Sequence, residues 1–437
     1  MRDVLVTLIV FGMLPAIFKR PALGAVMWIW ISVMNPHSQG WGFARTFPFA
    51  AVIAVTVVVA MALHRDRFRL PAQAVTVVFL AMLAWMCATA LFAIHPDAVQ
   101  GQWVKVCKIF AMSAVVMMLL RTRQEIEWII WTIVVSLGFY GVKGGLFTLR
   151  SGGTFRVWGP EGTFIDGNNE IALALVIVIP LMVYLGALLR PRWARAAMLA
   201  AILLCALAAL GSYSRGAALA IVAMTTVLWL KSQNKMPLAV LLLLVTPALM
   251  LLMPEQWHER IDTIHDYEQD TSAMGRINAW YMAFHLANDR LSGGGFEIYD
   301  AQVFAMYAPI PQDIHAAHSI YFQILGEHGW PGLALYLVLG VLTWRTGSWV
   351  VRRTRAVPDL QWALRLATML QVSLAGFAVG GAFLSLAYFD VPYFIMAAMV
   401  AIRQLVAREL ATAAGAPALA PLPALVQPVP AAQAAPR

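Results

Sequence analysis

Apolar residues in this chain come in long unbroken runs, not in the alternation of a half-buried strand. The runs lie at about 4–18, 22–34, 48–63, 72–94, 101–120, 126–147, 169–189, 196–211, 216–230, 237–253, 331–350, 360–388 and 391–406. Crossing the hydrocarbon of a bilayer takes about 20 such residues as a helix. Backbone N–H and C=O groups find no water there, so only helices or a closed barrel can span, and a barrel would show alternation instead of continuous runs. The pattern therefore predicts an all-α, polytopic membrane protein with about twelve transmembrane helices. The first two runs, split by Lys19, Arg20 and Pro21, form one re-entrant hairpin or two tilted helices. No small-residue cleavage pattern follows the first run, which is read as retained.

The polar interruptions orient the bundle. Short loops carry Arg65, Arg67 and Arg69, then Arg121 and Arg123, Arg190, Arg192 and Arg195, Lys231 and Lys235, and Arg345, Arg352, Arg353 and Arg355. Their alternation along the chain is consistent if all face the cytoplasm. The opposite face then receives the loop at 148–168, the turn around Ser212–Ser214 and one long connection, 254–330. The expected organisation is N-terminal membrane helices over 1–253, a long periplasmic loop over 254–330, C-terminal membrane helices over 331–406, and a disordered Ala/Pro-rich cytoplasmic tail over 407–437. The long loop carries helical patterning: Thr271 and Ser272 can cap a helix with Trp280, Phe284 and Ala287 on one stripe. Gly293–Gly295 breaks the pattern, and a second short helix is expected over about 313–328. Gly329-Trp-Pro-Gly332 would end it and start the next span, with Pro331 in a first helical turn.

Composition agrees with this picture. Of 437 residues, 61% are hydrophobic and only 12% charged, against about a quarter charged in soluble domains. Soluble enzymes, nucleic-acid binders and disulfide-stapled secreted domains are excluded as primary readings. The net charge of +9 follows from basic cytoplasmic loops and calls for no nucleic acid. Cys87, Cys107 and Cys205 all lie inside apolar runs without metal-ligand spacing and read as small buried hydrophobes.

Ionisable residues at membrane depth cost free energy, so they mark function or a partner. Lys105 and Lys108 stand one turn apart in the fifth run, and Lys143 lies near the outer end of the sixth; snorkelling to an interface is the plainer alternative for all three. Arg215 follows Ser212-Tyr-Ser214 between two apolar helices, on the face where basic residues are disfavoured. A guanidinium at the head of a helix can hold a phosphate bidentately; pairing with Glu161 or Asp166 is the structural alternative. Arg276 opens the capped helix of the long loop and is either a surface charge or a second cation facing the same cavity, and two arginines would suit a pyrophosphate. In Asp313-Ile-His-Ala-Ala-His-Ser-Ile-Tyr321, His315 and His318 are one turn apart where the loop descends to the membrane, and Tyr321 is counted with them as a substrate contact. A proton-accepting histidine, preferably His318, stands beside two alternatives: a buried structural His, and a metal site completed by Asp313, for which this spacing is a weak signature. The loop from Arg156 to Asn168 and Asn169 is rich in Gly, amide and carboxylate groups that can line a sugar site, although turn formation explains the same composition. Phe296, Tyr299, Tyr307 and Trp330 can stack on sugars or anchor at the interface.

Several of these residues carry a resemblance to a known family. Ser214-Arg-Gly216, Gly162-Thr-Phe164 with Asn168-Asn169, the Arg276…Trp280 helix leading to Gly293–Gly295, and Ala317-His-Ser319 with Gln323-Ile-Leu-Gly-Glu-His-Gly329 together resemble the O-antigen ligase and polymerase superfamily. Arg20-Pro21, Trp28-Ile-Trp30, Met34-Asn-Pro-His37 and Trp41-Gly-Phe-Ala44 resemble its branch of O-glycosylation ligases associated with exosortase systems. The resemblance implies a metal-independent, inverting glycosyltransferase of the GT-C type in the bacterial inner membrane, with its active site facing the periplasm and no cofactor. Its partners would be an undecaprenyl-pyrophosphate-linked glycan, an acceptor such as the lipid A core, and membrane lipids. Carried onto this chain, Arg215 and Arg276 would bind the pyrophosphate and His318 would take the acceptor's proton. Lys105, Arg156, Asn168, Asn169, His315 and Tyr321 complete the expected substrate-binding set. At Ser319 the chain departs from the Asn of many members. Chain polymerisation and protein O-glycosylation share the topology. A lipid-linked-sugar transporter is the reading from another class, but it should place polar residues along a midplane path between repeated halves.

Overall fold

A computed structural model describes residues 1–64, 67–232, 234–251, 253–257 and 271–413. These residues form helices and no strands. In chain order they are α1 (Arg2–Lys19), α2 (Ala22–Ile29), α3 (Phe49–Leu63), α4 (Ala74–Leu91), α5 (Pro96–Leu119), α6 (Arg123–Arg150), α7 (Asn168–Leu188), α8 (Arg192–Leu210), α9 (Arg215–Lys231), α10 (Lys235–Leu251), α11 (Thr271–Asp289), α12 (Ala301–Tyr307), α13 (Ile320–Thr354), α14 (Gln361–Gly380) and α15 (Asp390–Ala413).

Among the described residues, eight helices are long and apolar enough to cross a membrane: α4 to α8, α13, α14 with its flanking turns, and α15. Three further apolar stretches, 22–34, 49–63 and 235–251, are shorter. About twelve spans were expected; the described residues supply eight of full length and three shorter apolar stretches. The helix α1 carries Arg2, Asp3 and Lys19, and α9 has 17 residues bounded by Arg215 and Lys231. The chain is thus a multi-pass membrane protein whose helices are not all of full spanning length.

Burial sorts the helices into layers. In α7 and α15, 78% of the most apolar window is buried, against 22% in α8 and 28% in α13. An apolar helix buried on all sides is central, whereas one apolar on an exposed face meets lipid. Small residues bring neighbours close: on α6, a side chain at Gly145 would collide with the Leu204 carbonyl of α8.

The two ends of the bundle differ. At one end, basic loops are tied by Arg67 to Glu125 at 3.6 Å and by Arg123 to Glu127 at 2.7 Å, and Tyr184 donates to Glu127 at 2.9 Å. Thr122 and Glu125 cap α6 reciprocally. At the other end, the region before α13 folds back onto the α4–α5 turn: Ile94 N–H donates to Gly294 O at 2.8 Å and Arg290 to Phe92 O at 2.6 Å.

Within the long connection, the described residues include a helix over Thr271–Asp289, whose expected cap at Thr271 and Ser272 adjoins residues outside the described ones. The helix expected over 313–328 starts instead at Ile320, because His318 sits at φ 42° and Ser319 is extended. The α12 helix, capped by Asp300 accepting from Gln302 and Val303 N–H, was not expected. Helix geometry breaks at Gly329, φ 65° and ψ −172°, a region that glycine enters without steric cost; the chain then resumes as a helix through Pro331, as the Gly-Trp-Pro-Gly pattern predicts. The tail expected from 407 is helical up to Ala413, and its remaining residues, like 258–270 of the long loop, lie outside the described residues.

Candidate active site

Two tight turns and one strap build the site. The first turn precedes α9. Ser214 caps that helix, its Oγ accepting from Ala217 N–H at 3.1 Å, so Arg215 occupies the first helical position beside N–H groups without helical partners. Asn168, at the start of α7, donates from Nδ2 to Ser212 O at 2.8 Å. Val157 N–H donates to Gly211 O at 3.0 Å. Tyr213, at φ 61°, donates its hydroxyl proton to Gly153 O at 2.7 Å, and the Arg156 guanidinium stands 5.7 Å from its ring centre. The 150–168 loop is thereby bound to the Arg215 turn, and it brings Arg156 and Asn168 with it.

The second turn precedes α13, and α11 holds it. Asn278 donates to Ile310 O and Asp313 O at 2.8 and 2.9 Å, and accepts from Ile310 N–H at 2.9 Å. Trp280 donates to Ala317 O at 2.6 Å and stacks on Phe322 with centroids 4.9 Å apart. His315 is packed against Gly275, next to Arg276, and its Nδ1 lies 2.9 Å from Asp313 Oδ1.

His318 is held in a left-handed conformation that residues other than glycine adopt infrequently, with its N–H donating to Ser385 Oγ at 2.9 Å. Its ring atom Nδ1 is buried and has no hydrogen-bond partner among the described residues. Burial first, then the charge of Arg276 and of His315, lowers its pKa from 6.5 to about 4. The ring is therefore neutral near pH 7, with a nitrogen free to accept a proton. Strain of this kind persists only where the surroundings impose it, and such residues cluster at functional sites.

The strap at 381–385 joins the turns. A side chain at Gly381 would lie 2.6 Å from Ile320, and one at Gly216 would lie 3.0 Å from Phe383. One short segment thus touches the residue after Arg215, the start of α13 and, through Ser385, His318 itself. On the other flank, Lys105 Nζ lies 3.7 Å over the Phe164 ring, within electrostatic reach of Asp390, Asp166 and Glu297.

Arg215, Arg156 and Asn168 gather at the first turn, Arg276, His315 and His318 at the second, and Lys105 at the rim of the 156–169 loop. Tyr321 is directed elsewhere: its hydroxyl donates to Ala378 O at 2.8 Å. Asn169 is half-buried at the head of α7. Lys108 and Lys143 are exposed on their helices, as interface anchoring requires. Sequence reasoning missed Ser385, Glu297 at φ 62°, and Asp390, a buried carboxylate that accepts from Ser32 Oγ at 2.6 Å. An Asp set between two apolar runs was the available signal for the last; nothing local marked the other two. Among the described residues, no three His, Cys, Asp or Glu are grouped to hold a metal ion.

The fold is that of a multi-pass helical membrane protein, with Arg215 and Arg156 at one turn and Arg276 and a neutral His318 at the other. A family model described as O-Antigen ligase matches residues 200–337, so this region of the chain is similar to that family. A second model, for a family of unknown function (DUF5935), matches residues 1–188. Comparison with curated proteins gave no match. Arg215, Arg276, His315 and His318 fall in the ligase match, whereas Lys105, Arg156 and Asn168 fall in the other. The two matched regions meet at the Asn168–Ser212 and Arg156–Tyr213 contacts.

Proposed function

We propose that this protein is an inverting glycosyltransferase of the GT-C type. It moves a glycan from undecaprenyl pyrophosphate to an acceptor hydroxyl, with the lipid A core oligosaccharide as the acceptor, at the periplasmic face of the inner membrane. The observation that carries this reading is His318: a neutral histidine with a buried, unpartnered ring nitrogen, beside Arg276, in the segment matched to the ligase family.

In the proposed reaction, Arg215 and Arg276 hold the pyrophosphate. Charge grows there as the bond between the anomeric carbon and the phosphate oxygen breaks, and fixed donors are most effective where charge develops. The acceptor oxygen attacks the anomeric carbon from the opposite face and forms the new glycosidic bond, while His318 takes its proton. Pyrophosphate leaves readily once two cations neutralise it, so the scheme needs no divalent ion and no cofactor. Lys105, Arg156, Asn168, Asn169 and His315 are the proposed sugar and phosphate contacts around this centre. Tyr321, bonded to α14, serves by positioning α13.

The test is glycan transfer by the reconstituted full-length protein. It is given undecaprenyl-pyrophosphate glycan and, in separate reactions, lipid A core, a second donor molecule or a peptide as acceptor, all in EDTA. Product on lipid A core is the expected result. Product only on the second donor would make the protein a polymerase, and product only on peptide a protein glycosylase. Movement of the donor across the bilayer with no product on any acceptor would replace the proposal with a transporter.

A further inference from the structure

A second charged feature lies away from this site, toward the end of the bundle that carries the basic loops. A cavity of about 420 Å³ opens between α13, α15 and the first turn of α4, and Arg345, Thr346, Ser348, Trp349, Arg352 and Arg403 are among its lining residues. A volume of this size suits a small-molecule group. Arg345 and Arg352, two turns apart, share one face of α13, and the Arg403 guanidinium lies 5.3 Å from the centre of the Trp349 ring. No carboxylate among the described residues forms an ion pair with any of the three arginines.

Arg345 stands nine residues before the end of α13 at Thr354, about 14 Å along the axis, inside an apolar run where an uncompensated guanidinium is costly. The same helix face continues with Val341 and Val338, which are 58% and 44% exposed. An outward-facing apolar stripe therefore runs directly into a cationic cavity. A soluble anion would use only the cationic half of this surface, whereas a lipid uses both: acyl chains on the stripe, phosphate among the arginines.

We propose that this cavity is a binding site for an anionic glycerophospholipid, with its phosphodiester held by Arg345, Arg352 and Arg403 and its acyl chains along Val338 and Val341. The inference is independent of the glycan reading, because none of these residues belongs to the candidate active site.

The test uses the full-length protein in mixed micelles of phosphatidylcholine and phosphatidylglycerol, with retained lipid counted by native mass spectrometry. Phosphatidylglycerol should be retained over phosphatidylcholine, and each Arg→Gln change should weaken retention about fivefold. The R345Q/R352Q/R403Q variant should lose about a hundredfold, and Arg345→Lys should keep most of the binding. The variant R353Q/R355Q, whose changes lie next to the cavity but outside its lining, should retain lipid as the unmodified protein does. Equal retention by the triple variant would overturn the proposal, as would an equal loss in R353Q/R355Q, which would signify diffuse surface charge. Displacement of phosphatidylglycerol by an equal concentration of inorganic phosphate would overturn it in favour of a soluble-anion site. If the triple variant does not fold, Arg345→Gln alone carries the same test at fivefold.

Discussion

His318 and His328 stand ten residues apart on one stretch of chain and have opposite fates. His328 is fully buried, and both ring nitrogens are bonded: Nδ1 with Thr89 Oγ1 and Nε2 with Tyr388 OH, each at 2.7 Å. Its carbonyl accepts from Trp85 Nε1 at 2.8 Å, and Tyr388 also donates to Glu327. That network ties the first turns of α13 to α4 and to Tyr388, just before α15. In His318 the backbone is bonded and strained while Nδ1 is left unpartnered. A satisfied buried network rigidifies; a buried polar atom without a partner is stored reactivity or a binding contact awaiting its ligand. Under the proposed function, stability falls to His328 and chemistry to His318.

The sharpest way to break this division is His318→Ala. It should lower transfer about 10²–10⁴-fold, the usual worth of a general base, with an unchanged unfolding temperature. A loss of stability matching the loss of activity would make His318 a second structural histidine.

Arg276→Ala should cost about 10²–10³-fold in turnover, as removal of a charge-stabilising donor does, and should also move the pH profile. Because His318 is lowered to about 4, the acid limb of transfer should fall near pH 4 and not near 6.5. The sign follows from the direction of the shift. The neutral ring is the active form, and its folded-state advantage is complete above 6.5 and lost as pH falls toward 4, where only the unfolded chain gains a proton. Removing the nearby positive charge should raise the limb, measured as the pH dependence of kcat/KM. An acid limb already at 6.5 in the unmodified protein would mean that the ring is not shielded as the geometry requires.

His328→Ala should do the reverse of His318→Ala. Thr89 would keep only its bond to Met86 O and Tyr388 only its bond to Glu327, and the two buried hydrogen bonds lost cost about 1 kcal/mol each. The unfolding temperature should fall while kcat of the remaining folded fraction changes little. The smallest effect is expected from Ser385→Ala, which removes the acceptor of the His318 N–H. A loss of about 1 kcal/mol, read as a several-fold drop in transfer, would show that the strap positions the base.

Much of this molecule was legible from local pattern. The apolar runs gave the helices, because a backbone in hydrocarbon has no alternative to intrahelical hydrogen bonds, and Gly329-Trp-Pro-Gly332 gave the break in α13. The helix expected over 313–328 failed at its first turn. Nothing in Asp313–Ser319 signals a left-handed residue, which is imposed by Ser385 some 67 positions away.

Taken alone, the sequence determined the helical class, the alternation of basic loops and the residue types capable of phosphate and proton chemistry, all of which follow from local composition and spacing. The tertiary structure decided which of them meet. Asn168 reaches Ser212, Arg156 reaches Tyr213, and the 381–385 strap touches both the residue after Arg215 and His318. It also decided that His318, not His328, keeps an open nitrogen. These outcomes rest on contacts between residues far apart in the chain, and helical periodicity has no memory beyond a few turns.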